Sequence, residues 1–454
     1  MDQLAEAALA GACADDLLGT DVPGHYTAAH LRVDDVDLFG PGQDRDVRRT
    51  LHVDQVPMPD LAPDEALVAV MASSINYNTV WSAMFEPLPT FGFLQRYGKR
   101  DRFTRRHDQP FHVVGSDGAG VVVRTGEGVS RWTVGDHVII SPVQVDDHEP
   151  MTHADSMISD GQRAWGYETN FGGLAHYAVV KASQLLAKPG HLTWEESATT
   201  MLTAATAYRM LIGSKGARIK LGDLVLIWGA TGGLGAFAVQ LVRSAGGIPI
   251  GVVGTEAKVK PARDLGCELV VDRESIGLTG AGDPSAVQEQ GKRLGREIRK
   301  ALGEDPHVAF DYVGKQTFGI SVLAVRRGGT VITCGSSTGY DHHYDNRYLW
   351  MNSKRIIGSH GANLQEHAEC KRLFDLGAIV PVLSRVYPLT AVGDAARLVQ
   401  RNEHTGKIGV LCLSPQEGLG VTDQALRNRI GPARLNPLRS TDAFGGPHGH
   451  TEGV

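Results

Sequence analysis

Residues 225–242 of this 454-residue chain read VLIWGATGGLGAFAVQLV and carry its strongest local motif. A short apolar run passes into a glycine-rich turn and then into an apolar helical pattern. Glycines let the backbone approach a pyrophosphate closely, and the helix that follows offers unpaired N–H groups at the positive end of its dipole. A strand, turn and helix in this order predict a dinucleotide-binding site. We expect it to be formed by Gly229, Thr231, Gly232, Gly233, Leu234 and Gly235.

Helical patterns alternate with buried apolar runs on the C-terminal side of this turn, which predicts a parallel sheet built from βαβ units. The runs are IPIGVVG (248–254), CELVV (267–271), VAFDYVG (308–314) and TVITCG (330–335). Upstream, from about residue 50 to 185, short β-type runs separated by turn signals indicate a largely β domain. A strand–helix pattern returns after residue 350. The sequence therefore predicts an α/β protein with a Rossmann-type nucleotide-binding domain inserted between two pieces of a catalytic domain.

Changes in the pattern of helical and strand-like segments also predict where each domain begins and ends. We expect a first catalytic part over 1–188, which begins with a helical N-terminal arm, and a nucleotide-binding domain over 189–352. A second catalytic part is expected over 353–430, and a flexible Gly/Pro-rich tail over 431–454.

The second strand of the nucleotide domain favours NADPH over NADH as the cofactor. NAD sites usually carry an acidic residue about 20 positions after the glycine turn, where it binds the ribose hydroxyls. Here the strand ends before Thr255, and Lys258 and Arg263 follow, which suit a 2′-phosphate better. Glu256 is the dissenting residue. The alternative for Lys258 and Arg263 is a solvated helix face.

Composition excludes several partners. The net charge is −6, which gives no electrostatic reason to expect nucleic acid or an anionic membrane. No run approaches the roughly 18 to 20 apolar residues that span a bilayer, and the N-terminus lacks the basic segment of a signal peptide. Five sparse cysteines, without a CxxC pair, are typical of a reducing cytoplasm. We therefore expect a cytoplasmic protein.

The segments GSDGAGVV (115–122) and VGDHV (134–138), together with the glycine turn, resemble the medium-chain dehydrogenase/reductases. This resemblance implies that the β domain is GroES-like. Zinc members of that superfamily carry a cysteine ligand in the early catalytic domain and a Gly-His-Glu motif. This chain has Gly115-Ser116-Asp117 at that motif and no cysteine between Cys13 and Cys267, so we expect no metal.

Six further blocks resemble the crotonyl-CoA carboxylase/reductases. They are SSINYNTVW (73–81), FEPLPTF (85–91), QRAWGYETNFGG (162–173), YDNRYLWM (344–351), KRIIGSHGAN (354–363) and GKIGVLCL (406–413). The resemblance implies NADPH-dependent reduction of an α,β-unsaturated acyl-CoA and capture of CO2, which gives an alkylmalonyl-CoA such as a polyketide extender unit. It also implies a homo-oligomer, a tetramer built as a dimer of dimers.

The chemistry of that reaction explains which residues the site needs. Hydride addition at Cβ leaves an enolate that is nucleophilic at Cα, so the site must hold CO2 there and limit proton delivery. By resemblance, Asn78 donates its amide to a CO2 oxygen and Tyr167 forms part of the wall. Glu168 positions CO2 through a water, and His360 hydrogen-bonds Glu168 or that water. Asn76 remains an alternative match for Asn78.

Basic and aromatic residues near the end of the nucleotide domain are candidates for binding the CoA phosphates. They are Arg347, Tyr348, Lys354 and Arg355. Gly361 stands where early members of the family carry a bulky aromatic residue, and AATAYR (204–209) and FDYVG (310–314) also depart from the crotonyl-specific pattern. These departures favour a longer or branched 2-enoyl-CoA.

Three other functions remain open at this stage. The first is simple enoyl-CoA reduction without carboxylation on the same scaffold, and the second is quinone reduction. The third is a non-catalytic subunit that binds nucleotide without turnover. The complete set of Asn78, Glu168 and His360 argues against the last two.

Overall fold

The computed structural model describes residues 1–40, 42–280 and 283–439. Its strands are β1 (His25–Arg32), β2 (His52–Pro57), β3 (Glu65–Ile75), β4 (Phe111–Val113), β5 (Ala119–Thr125), β6 (His137–Ile140), β7 (Val143–Gln144), β8 (Arg163–Ala164), β9 (Tyr177–Lys181), β10 (Leu185–Ala187), β11 (Leu224–Trp228), β12 (Ile248–Val253), β13 (Leu269–Asp272), β14 (Val308–Asp311), β15 (Thr330–Thr333), β16 (Arg355–Gly358), β17 (Leu383–Pro388) and β18 (Lys407–Leu411). Its helices are α1 (Gln3–Leu9), α2 (Ala14–Gly19), α3 (Tyr77–Met84), α4 (Phe91–Gly98), α5 (Pro150–Asp155), α6 (Trp194–Ser197), α7 (Met201–Leu211), α8 (Gly233–Ser244), α9 (Val259–Leu265), α10 (Pro284–Leu302), α11 (Phe318–Ala324), α12 (Asn346–Trp350), α13 (Leu364–Asp375), α14 (Val392–Gln400), α15 (Gln424–Ile430) and α16 (Pro432–Leu435).

A six-stranded parallel sheet forms the nucleotide-binding half, in the order β13-β12-β11-β14-β15-β16. Every side chain of β11 is buried because helices cover both faces of such a sheet. The predicted parallel sheet is confirmed. Its last strand, β16, pairs with β15 and extends the sheet past the predicted boundary at residue 352.

The largely β half contains a seven-stranded sheet in the order β10-β6-β5-β3-β18-β17, with β9 also paired to β3. All eleven residues of β3 are buried. The C-terminal β18 runs antiparallel to β3, with Ile408 opposite Ile75. The second catalytic piece therefore returns to the first after the nucleotide domain, as the predicted fold class requires.

Residues near both ends of the described chain are buried against the rest of the protein. Leu4 and Ala5 of α1 are fully buried, and Tyr177 donates a hydrogen bond of 2.6 Å to Asp2. At the other end, Leu435 and Leu438 are buried, although the sequence predicts a flexible tail from residue 431. The rest of that predicted tail, 440–454, lies outside the described residues. No helix among those the structure describes is both long and apolar enough to cross a membrane.

Candidate active site

A cavity of about 600 Å³ lies where the two halves meet. The glycine turn and the carboxyl ends of β12, β14 and β15 line one side, and α3, the loop after β8 and the start of β18 line the other. This is the crevice in which open α/β sheets bind their ligands. Of the predicted site residues, the cavity brings together Asn78, Tyr167, Gly229, Gly232, Gly233, Leu234, His360 and Gly361.

The glycine turn has the geometry of a pyrophosphate cradle. Gly229 has a positive φ of 60°, and a Cβ at Gly235 would lie 2.2 Å from the Gly229 carbonyl oxygen, so neither position tolerates a side chain. Gly232 is the N-cap of the twelve-residue α8 and offers no side-chain cap. The first N–H groups of α8 therefore stay open to an anion. Thr231 lies behind the turn, and its carbonyl oxygen accepts a 2.7 Å hydrogen bond from the Gly406 N–H.

Two cations lie near the end of the cavity beyond β12. Arg273 lines the cavity directly after β13, and Lys258 donates a 3.2 Å hydrogen bond to the Asn402 carbonyl. Burial and the nearby Arg273 lower the pKa of Lys258. Arg273 in the cavity wall, with Lys258 bonded to the neighbouring Asn402, fits a 2′-phosphate beside the dinucleotide cradle. Predicted Thr255 and Arg263 are exposed and do not line the cavity.

His404 also lines this end, and the sequence reasoning missed it. Burial, together with the nearby Lys258, lowers the pKa of His404 to about 4. Its Nδ1 is buried and has no hydrogen-bond partner among the described residues. Arg273, which was missed too, carries a usable signal because it directly follows a parallel strand. His404 carries none, since it arrives from the second catalytic piece.

Asn78 lies in the first turn of α3, at the wall of the cavity. Its Nδ2 donates a 2.7 Å hydrogen bond to Oγ of Ser116, while its Oδ1 is buried without a partner among the described residues. Asn76 differs, because its amide donates to Asp117 at 2.7 Å and its oxygen accepts from Lys407. The geometry favours Asn78 over Asn76 as the group that is free to meet a ligand.

The other three predicted catalytic residues are only partly brought together. Tyr167 lines the cavity, and burial, together with the nearby Glu168, raises its pKa to about 12, so the phenol stays protonated at neutral pH. His360 lines the cavity with an exposed side chain. Glu168 does not line it, and Oε2 of Glu168 accepts a 2.8 Å hydrogen bond from the Ala164 N–H of its own loop. Of the two partners predicted for His360, Glu168 and a water, Glu168 forms no direct hydrogen bond with it among the described residues.

A buried ion pair lies beneath Asn76. The Lys407 ammonium is 3.1 Å from Asp117, and the two side chains are 3% and 1% exposed. Asp117 also accepts hydrogen bonds from Ser74 at 2.7 Å and from the Leu202 N–H at 3.1 Å. Every donor and acceptor of the pair is thus satisfied, as a buried pair requires. The network joins β3, β18 and α7 at the floor of the cavity.

The residues predicted for the CoA phosphates lie outside the cavity. Each has a protein partner: Arg347 pairs with Asp345, Tyr348 with Gln288, Lys354 with the Val322 carbonyl and Arg355 with Thr330. Arg347 has 75% of its side chain exposed. Burial lowers the pKa of Lys354 to about 8.

A parallel nucleotide domain inserted in a GroES-like β domain, with a glycine cradle at their junction, defines a medium-chain dehydrogenase/reductase. Family comparisons agree with this class. A model of the alcohol dehydrogenase GroES-like domain matches residues 62–190, and a model of zinc-binding dehydrogenases matches residues 233–378.

The similarity to individual proteins is narrower. The chain is 50% identical to a crotonyl-CoA reductase of Streptomyces collinus, over 91% of this chain and 93% of the relative. It is 38% identical to a crotonyl-CoA carboxylase/reductase of Cereibacter sphaeroides, over 82% and 86%. A solved structure of the 2-octenoyl-CoA carboxylase reductase CinF, in complex with NADP and 2-octenoyl-CoA, superposes with a TM-score of 0.94 at 56% identity, over 96% and 99%. The chain belongs to the crotonyl-CoA carboxylase/reductase family.

Proposed function

We propose that this protein reduces an α,β-unsaturated acyl-CoA with NADPH and joins the product to CO2. The balanced reaction converts enoyl-CoA, CO2 and NADPH into alkylmalonyl-CoA and NADP⁺. The observation that carries the proposal is Asn78, an amide with an open buried oxygen and a spare N–H, beside a dinucleotide cradle in one cavity. The names of the relatives support the same reaction.

The chain's residues have separate tasks in this reaction. Bound NADPH supplies the hydride. Ser116 holds the Asn78 amide so that its second N–H meets an oxygen of CO2, where negative charge grows as the carbon–carbon bond forms. The Tyr167 phenol keeps its proton and forms a wall that limits access of water to Cα. We assign His360 and Glu168 to the same pocket, where Glu168 acts through a water.

Arg273 is expected to select NADPH over NADH. Replacing it with alanine removes a charge-assisted hydrogen bond to the 2′-phosphate, worth about 1.5–3 kcal/mol, so the KM for NADPH should rise about 10- to 100-fold. The KM for NADH should stay within about twofold, because NADH has no phosphate there. Arg263→Ala is the matched control, since Arg263 is exposed away from the cavity and should change neither constant. An equal rise for NADPH and NADH would contradict the assignment of Arg273.

We also propose that the acyl end of the cavity accepts chains longer than crotonyl. Gly361 has a φ of 50°, and a Cβ there would lie 3.0 Å from Cε of Met157. The missing side chain leaves room beside Met157 and Val143, both of which line the cavity. A bound 2-octenoyl-CoA in the CinF complex supports this reading.

Gly361→Ala tests the acyl pocket. One added methyl group in an apolar pocket changes discrimination about 10-fold or more, so kcat/KM for 2-octenoyl-CoA should fall by that factor relative to crotonyl-CoA. Left-handed strain at this position acts on both substrates alike. Gly358→Ala is the control, because a Cβ at Gly358 meets nothing within 4 Å. A ratio unchanged by Gly361→Ala would place the acyl chain elsewhere.

The assembly and the CoA site belong to the same proposal. Strand β16 lies at the edge of the nucleotide sheet, and most of its side chains are exposed, which suits pairing with another copy. We propose a cytoplasmic homo-oligomer in which Arg347 and its neighbours Tyr348, Lys354 and Arg355 contact CoA. The five cysteines are free, consistent with a reducing compartment.

The direct kinetic test follows NADPH oxidation with crotonyl-CoA and with 2-octenoyl-CoA, with and without bicarbonate and carbonic anhydrase. We expect oxidation with both substrates, faster with 2-octenoyl-CoA, and stimulation by CO2. Absence of oxidation with either substrate would overturn the proposed function. CO2-independent oxidation would leave simple reduction as the activity.

A further inference from the structure

A buried charge cluster lies next to the acyl end of the cavity and takes no part in the chemistry described above. Arg209 of α7 contacts Asp155 of α5 at 2.6 and 3.1 Å and Glu366 of α13 at 2.8 Å. The three side chains are only 4–7% exposed. The planar guanidinium of an arginine donates hydrogen bonds in fixed directions, so it can hold two carboxylates in a defined arrangement. A lysine ammonium acts as a point charge and lacks this directional geometry.

Each partner of Arg209 is tied to a piece of the cavity wall. Oδ1 of Asp155 accepts a 3.2 Å hydrogen bond from the Met157 N–H, and Met157 lines the cavity opposite Gly361. Glu366 closes a capping box with Asn363, which follows the turn that carries His360 and Gly361.

The helix that carries Arg209 forms a third wall. Leu202, Thr203 and Thr206 of α7 line the same cavity. Helices α5, α7 and α13, which are distant in sequence, therefore meet at the Arg209 guanidinium. No other side chain of the described residues forms ion pairs that join these three helices.

We propose that Arg209 is a positioning residue that, through Asp155 and Glu366, holds the Met157 segment and the His360–Gly361 turn against α7 and so sets the depth of the acyl pocket. The expected change in the substrate ratio rests on the proposed function, whereas the expected change in hydrogen exchange does not. The cluster acts on the acyl end of the cavity and not on the cofactor end, because its side-chain hydrogen bonds go to Met157 and Asn363 and, among the described residues, none goes to the glycine turn, Lys258 or Arg273.

Arg209→Lys tests this inference, because it keeps the positive charge but loses the planar group that hydrogen-bonds Asp155 and Glu366 at the same time. We expect faster hydrogen exchange, measured by mass spectrometry, in segments 150–159 and 359–367. The ratio of kcat/KM for 2-octenoyl-CoA to that for crotonyl-CoA should fall about 3- to 30-fold, mainly through KM. The KM for NADPH should stay within about twofold. Asp155→Asn, which keeps the shape and the Arg209–Glu366 pair, should produce a smaller change in the same direction.

Arg427→Lys is the matched control. Arg427 makes a bidentate contact with a single carboxylate, that of Glu196, at 2.7 and 3.0 Å and away from the cavity. This variant should leave the substrate ratio unchanged.

Either of two results would overturn the inference: unchanged exchange in both segments, or an unchanged substrate ratio, which includes an equal loss with both substrates. If Arg209→Lys does not fold, Asp155→Asn decides by the same readouts. A wild-type protein that oxidises no NADPH with either substrate would refute the proposed function instead, and the exchange measurement alone would then decide whether Arg209 holds the two segments.

Discussion

Replacing Asn78 with alanine is expected to lower the rate of carboxylation about 10²- to 10³-fold, the usual cost of removing one preorganised donor to a developing oxyanion. Hydride transfer does not use the Asn78 amide, so NADPH oxidation should fall much less. The enolate would then be protonated, and the product should shift from alkylmalonyl-CoA to saturated acyl-CoA. Product masses and NADPH consumption, measured in the same reaction, give both quantities.

Ser116→Ala separates the role of the amide from that of its support. Ser116 accepts the 2.7 Å hydrogen bond that orients Asn78, so its loss should shift the product in the same direction but by a smaller factor. An Asn78→Ala enzyme that makes alkylmalonyl-CoA in the wild-type proportion would show that CO2 is held by other groups.

Replacing Lys407 with methionine is expected to lower the free energy of unfolding by about 3–5 kcal/mol, because it leaves the Asp117 carboxylate buried without its counter-charge. Burial lowers the pKa of Lys407 and the nearby Asp117 opposes that shift, so Lys407 depends on Asp117 for its charged form. Denaturant unfolding followed by tryptophan fluorescence measures the loss.

Two controls make this result specific. The double variant Lys407→Met with Asp117→Asn should recover part of the stability, because no isolated charge remains. Lys260→Met breaks the Lys260–Asp264 pair, in which the lysine is 83% exposed, and should leave the unfolding midpoint unchanged. Equal losses from Lys407→Met and from the double variant would contradict the role of the ion pair.

The parts of the fold that depend on local chemistry were predictable. The glycine turn could be predicted because its strand, glycines and helix are contiguous in the sequence. The structure places the turn between β11 and α8. Strand β3 is readable because its apolar run, residues 66–72, is short and contains the β-branched Val68 and Val70.

The cations proposed to bind the cofactor could not all be identified from the sequence. Lys258 and Arg263 are only five positions apart, so their distance in sequence from the glycine turn does not show which of them lies near the cavity. Only Lys258 reaches the edge of the cavity, because α9 turns Arg263 into solvent. Arg273 and His404 reach the cavity from other strands and loops, which a pattern within one segment does not reveal.

The cluster at Arg209 and the C-terminal segment were missed for a related reason. Asp155, Arg209 and Glu366 meet only after the two domains pack, so no spacing predicts them. Composition favours a flexible tail from residue 431, yet Asn436 donates a 2.7 Å hydrogen bond to Glu196 and Leu435 is buried. Burial of a few side chains outweighs the glycine and proline content around them.

The most direct test of the central claim is the mass of the product formed from 2-octenoyl-CoA, NADPH and isotopically labelled bicarbonate with carbonic anhydrase present. We expect an alkylmalonyl-CoA, heavier than the saturated acyl-CoA by one CO2 that carries the label. A saturated acyl-CoA without label would contradict it and would withdraw the roles assigned to Asn78, Tyr167, Glu168 and His360 in holding CO2.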